Sequence, residues 1–278
     1  MSATDARFAG PIPGLYERHL VPLLFAPYAS DLAARIAAAG VPEGGVVLET
    51  AAGTGVLTRA LDAALAAGVR IVATDLNEGM LIVARERRAG SGAGARDVTF
   101  QQADAQRLPF PDAAFDAVVA QFGMMFLPDR RAGYREALRV LRPEGRFVFN
   151  VWGRLADNEV SKIVSDVAIA AFPDDPPRFI ERTPFGYFDR AVIRADLEAA
   201  GFAQITIDDV DATTHASAAD VAAGLCQATP LRNEIEARDP ARLDAITAEA
   251  ARALEKRFGA TVENRMRAIV LAAQGRER

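Results

Sequence analysis

The sequence predicts an α/β fold built on a seven-stranded, mostly parallel sheet with helices on both faces. Short apolar runs alternate with helical patterns from Val46 to Val151, which is typical of strands joined by crossover helices. After Val151, Gly201 marks the end of a helix. Two further strands are expected after Gly201, with helical sequence between them. One strand near the C-terminus is expected to run antiparallel to the others.

The run Val46–Gly55 is the most informative segment. Apolar residues with β preference lead into Glu49, then into small residues with Gly53 and Gly55, after which Leu57 opens a helical pattern. A strand that turns this tightly into a helix presents backbone N–H groups and little side-chain bulk, so a ligand can lie against the main chain. The acid at the strand end disfavours pyrophosphate and favours a cationic or amine-bearing ligand.

A second short strand, Val69–Asp75, also ends in an acid. The carboxylate of Asp75 can accept two hydrogen bonds from a ribose diol, so it indicates a nucleoside without saying which one. A helix follows, with Met80 and Ala84 facing inward and Asn77 able to cap it.

Three more strands complete the first part of the sheet. Val98–Gln102 leads into Ala103-Asp104-Ala105, and Phe115–Gln121 is the apolar run of a strand covered on both faces. A Pro/Gly turn precedes the fifth strand, which ends near Val151. Between the fourth and fifth strands, apolar residues recur at helical spacing: Tyr134, Ala137, Leu138 and Leu141.

In combination, these segments resemble the class I S-adenosylmethionine-dependent methyltransferases, in particular the UbiE-like or type 11 subgroup. Motif I of that family is an acid followed by glycines at every second position. Glu49 matches the acid, Ala51 replaces the first glycine, and Gly53 and Gly55 match the other two. The change at Ala51 is mild if that residue keeps a negative φ. The resemblance covers residues 41 to 151 and implies a Rossmann-like fold with S-adenosylmethionine as cofactor.

The resemblance also implies roles for individual residues. Glu49 would face the amino-acid end of the cofactor, Asp75 the ribose and Asp104 the adenine amine. The remaining expected cofactor contacts are the turn residues Ala51, Gly53 and Gly55, the adenine neighbours Leu76, Met80 and Ala105, Gln121 near the methionine moiety, and Tyr16 in an N-terminal lid.

Two other functions stay open. Gly53-x-Gly55-x-x-Thr58 can form the fingerprint of an NAD-dependent oxidoreductase, although Thr58 stands where helix–strand packing asks for Gly or Ala. A non-catalytic scaffold that binds S-adenosylmethionine would keep motif I without needing a sealed pocket.

No catalytic residue is assigned, because methyl transfer can proceed mainly by positioning. His19 and His215 are candidate general bases, but single histidines are more often structural. Aromatic and Met residues beyond the fourth and fifth strands indicate a pocket for a small, largely apolar or aromatic molecule, with core packing as the alternative for each. The substrate candidates are Phe122, Met125, Trp152 and Tyr187.

Three regions are expected along the chain. Residues 1–40 form a flexible lead-in up to Gly14 and a helical lid broken at Pro22 and Pro27. Residues 41–211 and 261–278 form the cofactor-binding domain, with a loop at 91–95 and its last strands at Ala203–Val210 and Arg265–Ala273. Residues 212–260 are a helical insertion between those strands, either a substrate cap or a dimer element.

Composition excludes several classes of protein. Half of the 278 residues are hydrophobic and a quarter are charged, as in ordinary globular domains. A net charge of −5 without a basic cluster argues against nucleic acid. The single cysteine, Cys226, excludes an intramolecular disulfide and a cysteine-based zinc site, and no metal is expected. With no secretory pattern and no apolar run near the length of a membrane span, a cytoplasmic protein is expected, possibly a homodimer.

Overall fold

The computed structural model describes residues 5–90 and 96–275, so the predicted loop at 91–95 lies outside the described residues. One sheet contains seven strands in the order β3-β2-β1-β4-β5-β7-β6. Strands β1 to β5 are parallel, and β7 is antiparallel to both β5 and β6. The predicted mostly parallel sheet is therefore confirmed. Its strands are β1 (Val46–Thr50), β2 (Arg70–Asp75), β3 (Val98–Gln102), β4 (Phe115–Gln121), β5 (Leu141–Trp152), β6 (Phe202–Ser217) and β7 (Thr261–Gly275).

Helices cover both faces of this sheet. Alternate strand residues point to opposite faces, so Val47 packs with one apolar cluster and Leu48 with the other. The helices are α1 (Ile12–Leu15), α2 (Ala26–Ala38), α3 (Val56–Ala64), α4 (Glu78–Gly90), α5 (Arg130–Val140), α6 (Glu159–Ala171), α7 (Phe179–Arg182), α8 (Arg190–Ala200), α9 (Ala218–Gln227), α10 (Leu231–Arg238) and α11 (Leu243–Phe258). Leu32 of α2 and Leu57 of α3 lie in the smaller cluster, whereas Ile193 of α8 lies in the larger one.

The N-terminal lid is one continuous helix, so the predicted breaks at its prolines are wrong. Residues Tyr16–Phe25 join α1 to α2 as a π-helix that contains Pro22, and Pro27 lies in the first turn of α2. A proline costs little in a first turn because the N–H there has no helical partner. Tyr16 and Phe25 stack with ring centroids 5.0 Å apart. Nine residues make about two and a half turns of an α-helix, which would separate these rings, but wider π-helical turns bring them onto one face.

This helical segment, Ile12–Ala38, is long and apolar enough to cross a membrane by length and composition, although charged residues such as Glu17, Arg18 and Asp31 interrupt its apolar runs. Over 18 residues its mean hydropathy is 1.2, but 56% of that window is buried inside the fold. A packed core helix passes the same test, so the segment is weak support for a membrane span.

The last two strands are longer than predicted. Strand β5 ends with Trp152 opposite Ala268, and beyond that point β6 and β7 pair only with each other. The outer part of β6 alternates half-buried and exposed residues and carries polar side chains such as Asp211, so it lacks the apolar run used to recognise a strand. The helical insertion consequently consists of α9, α10 and α11.

The described part of the lead-in is fixed to the fold, contrary to the predicted flexibility. The buried carboxylate of Asp5 accepts hydrogen bonds from Arg182, at 2.6 and 3.1 Å, and from the Thr183 hydroxyl at 2.8 Å. The Phe8 N–H donates to Asn77 Oδ1 at 3.2 Å, and Asn77 Nδ2 donates to the Ala6 carbonyl at 3.1 Å. Residues 5–8, which we call the N-terminal strap, thus connect the end of β2 to α7.

Candidate functional site

A cavity of about 600 Å³ lies at the carboxyl ends of the parallel strands. In an open α/β sheet this edge is where ligands bind. The ends of β1 to β4 and the residues just after them contribute Ala51 and Gly53, Asp75 to Asn77, Ala103 to Gln106, and Gln121 to Gly123. The rest of the lining comes from the N-terminal strap, the π-helical segment, α4, the segment after β4, the end of β5, α6, α7 with the loop after it, and α9 with the turn after it.

The turn after β1 adopts a left-handed conformation at Ala51, with φ of +54°. The condition on which the Ala51 substitution was expected to be mild is therefore not met. A Cβ placed on Gly123 would lie 2.5 Å from the Ala51 Cβ, so Gly123 provides the space for this methyl group. Gly53, with φ of +56°, presents its backbone beside Tyr16 and Met80.

Asp75 lines the cavity and is fixed by hydrogen bonds to the backbone. Its two oxygens accept hydrogen bonds from the backbone N–H groups of Gly53 and Asn77, each at 2.8 Å. Burial raises the pKa of this carboxyl, and the two N–H donors oppose that effect. A carboxylate has about four acceptor positions, so Asp75 retains capacity for a ligand hydroxyl.

Glu49 lies beneath the turn and does not line the cavity. It is 1% exposed, and Thr58 Oγ1 donates to its carboxyl at 2.6 Å. Burial raises the pKa of Glu49 to about 8. Thr58 is thus the hydrogen-bond partner of the motif I acid. Gly55 also lies outside the cavity lining, and a Cβ placed on it would lie 3.1 Å from the Ala84 Cβ of α4.

The predicted adenine neighbours Leu76, Met80, Asp104 and Ala105 all line the cavity. Asp104 Oδ1 accepts hydrogen bonds from the backbone N–H of Gln106 at 2.8 Å and from its side chain at 3.2 Å. The sequence analysis missed Gln106, which also lines the cavity.

Tyr16 and Gln121 border the cavity where the π-helical segment meets β4. Burial, and secondarily the charge of Asp75, raises the pKa of the Tyr16 hydroxyl. Gln121 Nε2 donates to the Phe25 carbonyl at 3.3 Å, while its Oε1 is buried and has no partner among the described residues. A buried acceptor without a partner fits a site that receives a donor from a ligand.

Beyond β4 and β5 the cavity is lined by aromatic residues. Phe122 and Trp152 stack with ring centroids 3.9 Å apart, and Phe185 also stacks with Trp152 at a centroid distance of 5.9 Å. Phe122 has a φ of +49°, and its N–H donates to Asn150 Oδ1 at 2.8 Å. We call this region the acceptor half; it is lined by Leu20, Leu24, Phe25, Phe122, Met125, Phe126, Trp152, Ser161, Phe179, Ile180, Pro184, Phe185, Leu225 and Thr229.

Tyr187 departs from its prediction as a substrate residue, because it does not line the cavity. Its hydroxyl lies 3.2 Å from that of Tyr134 and donates to Asp196 at 2.9 Å, and Arg130 covers its ring. These contacts hold it between α5 and α8.

Neither candidate general base reaches the cavity. His19 Nδ1 lies 3.3 Å from Asp220, and His215 is exposed on β6, 3.9 Å from Glu263. Both histidines are therefore surface or interhelical residues in this fold.

Comparison with known proteins agrees with this fold and site. A methyltransferase-domain family profile matches residues 48–149. The ubiquinone/menaquinone biosynthesis C-methyltransferase UbiE of Saccharophagus degradans is 33% identical over 174 residues, which cover 59% of this chain and 70% of that protein. The chain belongs to the UbiE-like class I S-adenosylmethionine-dependent methyltransferases. It is a methyltransferase that uses S-adenosylmethionine, and the NAD-dependent alternative has no support among these relatives.

Solved structures share the fold at low sequence identity. YcgJ from Bacillus subtilis is 20% identical with a TM-score of 0.58, covering 91% of this chain and all (100%) of that one. The phosphoethanolamine N-methyltransferase 2 of Haemonchus contortus is 16% identical with a TM-score of 0.58, covering 95% and 56%. The [4+2]-cyclase SpnF is 21% identical with a TM-score of 0.56, covering 89% and 80%. These likenesses establish the fold and leave the methyl acceptor open.

Proposed function

We propose that this methyltransferase acts on a small, largely apolar or aromatic metabolite held in the acceptor half. The observation that carries the proposal is the stacked group of Phe122, Trp152 and Phe185 inside a cavity that is also lined by Asp75 and Asp104. The curated relative is named for ubiquinone and menaquinone biosynthesis, and a quinone-like acceptor would suit such a lining.

The residues present fit S-adenosylmethionine, which supplies a methyl group on a sulfonium. We propose that Asp75 binds the ribose, Asp104 the adenine amine, and Gln121 Oε1 the ammonium of the methionine moiety. The backbone at Ala51 and Gly53 would lie against the ligand, with Leu76, Met80, Ala105 and Tyr16 around it. Glu49 would act on the amino-acid end from below the turn, since it is outside the cavity lining.

Catalysis in this proposal depends mainly on positioning. The titratable side chains among the described cavity residues are Tyr16, Asp75 and Asp104, and each of them is a residue that we propose contacts the cofactor. The acceptor half therefore orients the nucleophile and excludes water, and such positioning can supply roughly 7–11 kcal/mol of barrier reduction.

The helical insertion is proposed to be a substrate cap. Helix α9 supplies Leu225 to the cavity and the turn that follows it supplies Thr229; α9 also packs on the π-helical segment. A Cβ on Gly224 would lie 2.8 Å from Leu20 Cδ2, so glycine permits a close approach of these two helices. We further propose that the protein acts in the cytoplasm without a nucleic-acid partner; a homodimer remains a prediction.

Calorimetric titration with S-adenosylhomocysteine and NAD, followed by a crystal structure of the S-adenosylhomocysteine complex, tests the proposal. We expect S-adenosylhomocysteine to bind, NAD to give no response, and the ligand sulfur to face Phe122, Met125 and Trp152. NAD binding without S-adenosylhomocysteine binding would refute the assigned cofactor site. A sulfur that faces open solvent would favour the non-catalytic scaffold.

A further inference from the structure

Ser161 is a buried polar residue in the largely apolar acceptor half. It lies in α6, is 6% exposed, and its side chain lines the cavity. Its hydroxyl makes no hydrogen bond to any residue within 5–90 and 96–275. The Ser161 oxygen is not fully enclosed by protein, so its hydroxyl is open to the cavity and can bind a polar atom of a ligand there.

The other hydroxyl in the acceptor half is already occupied. Thr229 Oγ1 donates to the Leu225 carbonyl at 2.8 Å and accepts from the Leu231 N–H at 3.2 Å. The charged residues among the described lining are Asp75, at the end of β2, and Asp104, just after β3, and both are proposed above to bind the cofactor. A charged substituent in the acceptor half would therefore lose its hydration without gaining an ionic partner.

We propose that Ser161 is a specificity-determining residue, whose hydroxyl binds an uncharged oxygen substituent of the methyl acceptor and thereby selects neutral acceptors over charged ones. This inference rests on the proposed function, since it assumes that the acceptor occupies the aromatic part of the cavity. Ser161 can donate to a carbonyl or accept from a hydroxyl, but it offers no charge to a carboxylate, phosphate or ammonium.

Helix α6 offers a matched control one turn further on. Ser165 is also buried, at 2% exposure, on the same side of the helix, but it does not line the cavity. Ser165→Ala therefore removes a buried hydroxyl from the same helix face without changing the cavity wall.

The single tryptophan of the chain provides the readout, because Trp152 itself lines the acceptor half. With S-adenosylhomocysteine at saturation, its emission is titrated with three probes: butylbenzene, para-butylphenol and para-butylbenzoate. The measured quantity is the ratio of the butylbenzene Kd to the para-butylphenol Kd. Comparing this ratio between variants cancels differences in solubility and hydration between the probes.

We expect Ser161→Ala to lower this ratio about fivefold, the effect of one neutral hydrogen bond, and Ser165→Ala to leave it unchanged. Para-butylbenzoate should bind more weakly than para-butylphenol to the parent protein. An unchanged ratio in Ser161→Ala, or tighter binding of the benzoate, would overturn the role of Ser161. Failure of all three probes to bind would instead contradict the proposed apolar acceptor site, and failure of S-adenosylhomocysteine would contradict the cofactor site.

Discussion

Replacing Glu49 with Gln should stabilise the free protein at neutral and alkaline pH. Glu49 is almost fully buried, and the Thr58 hydroxyl is its hydrogen-bond donor. Burial raises the pKa of Glu49 to about 8; the Thr58 hydrogen bond opposes this, the charge of Asp75 adds to it, and Arg59 opposes it. The folded protein therefore holds a neutral carboxylic acid at this position at pH 7, which an isosteric amide resembles.

The size of the effect follows from the two pKa values. The ordinary pKa of 4.5 applies to the unfolded chain, so between this value and about 8 the unfolded chain is ionised while the folded protein keeps the proton. Glu49 contributes its full stabilisation when the pH is below its pKa in the unfolded chain. This stabilisation is lost as the pH rises to its pKa in the folded protein. Within that window the free energy of unfolding falls by about 1.4 kcal/mol per pH unit, or roughly 3 kcal/mol by pH 7.

Urea unfolding of the parent and Glu49→Gln across pH 5 to 8 measures this effect. The stability of the variant relative to the parent should grow by about 1.4 kcal/mol per pH unit. Glu136→Gln is the control, because the pKa of Glu136 is shifted in the opposite direction from that of Glu49: the hydrogen bond from Arg139 lowers it. Its stabilising contribution is lost only as the pH falls through this lowered pKa, so its difference from the parent should stay constant in the same range. A difference between Glu49→Gln and the parent that does not change with pH would refute the reasoning.

Three further outcomes are expected. Asp75→Asn should weaken S-adenosylhomocysteine binding about 10- to 100-fold by calorimetry, because an amide replaces a carboxylate that accepts from Gly53 and Asn77; unchanged affinity in a folded variant would place the site elsewhere. Gly123→Ala should cost about 1–3 kcal/mol in urea unfolding through its clash with the Ala51 methyl group, and adding Ala51→Gly should recover most of it; strictly additive effects would contradict that contact. Asp5→Asn should loosen the N-terminal strap from Arg182 and Thr183 and increase acrylamide quenching of Trp152, and equal quenching would show that the strap does not cover the cavity.

The part of the cavity at the ends of β1 to β4 could be predicted because its signals are local. Each residue from Ala51 to Gln121 that was assigned to it stands within a few positions of a strand end that apolar runs mark in the sequence. Parallel strands bring their carboxyl ends to one edge of the sheet, so Asp75 and Asp104 meet there without any further information. The aromatic residues Phe122 and Trp152 follow the same rule at β4 and β5.

The acceptor half and the closure of the cavity depend on contacts between distant parts of the chain. The positive φ of Ala51 is accommodated by Gly123, and Asp5 is fixed by Arg182, whereas Tyr187 is held between α5 and α8. In the sequence, Ser161 is only one polar position within a predicted helix. It lines the cavity because α6 packs against the helices of the insertion around that cavity. Hydrophobic periodicity determines which face of an element is buried, but it carries no information about which distant side chain will lie against that face. That choice is made by packing in three dimensions, and the tertiary structure alone decided it here.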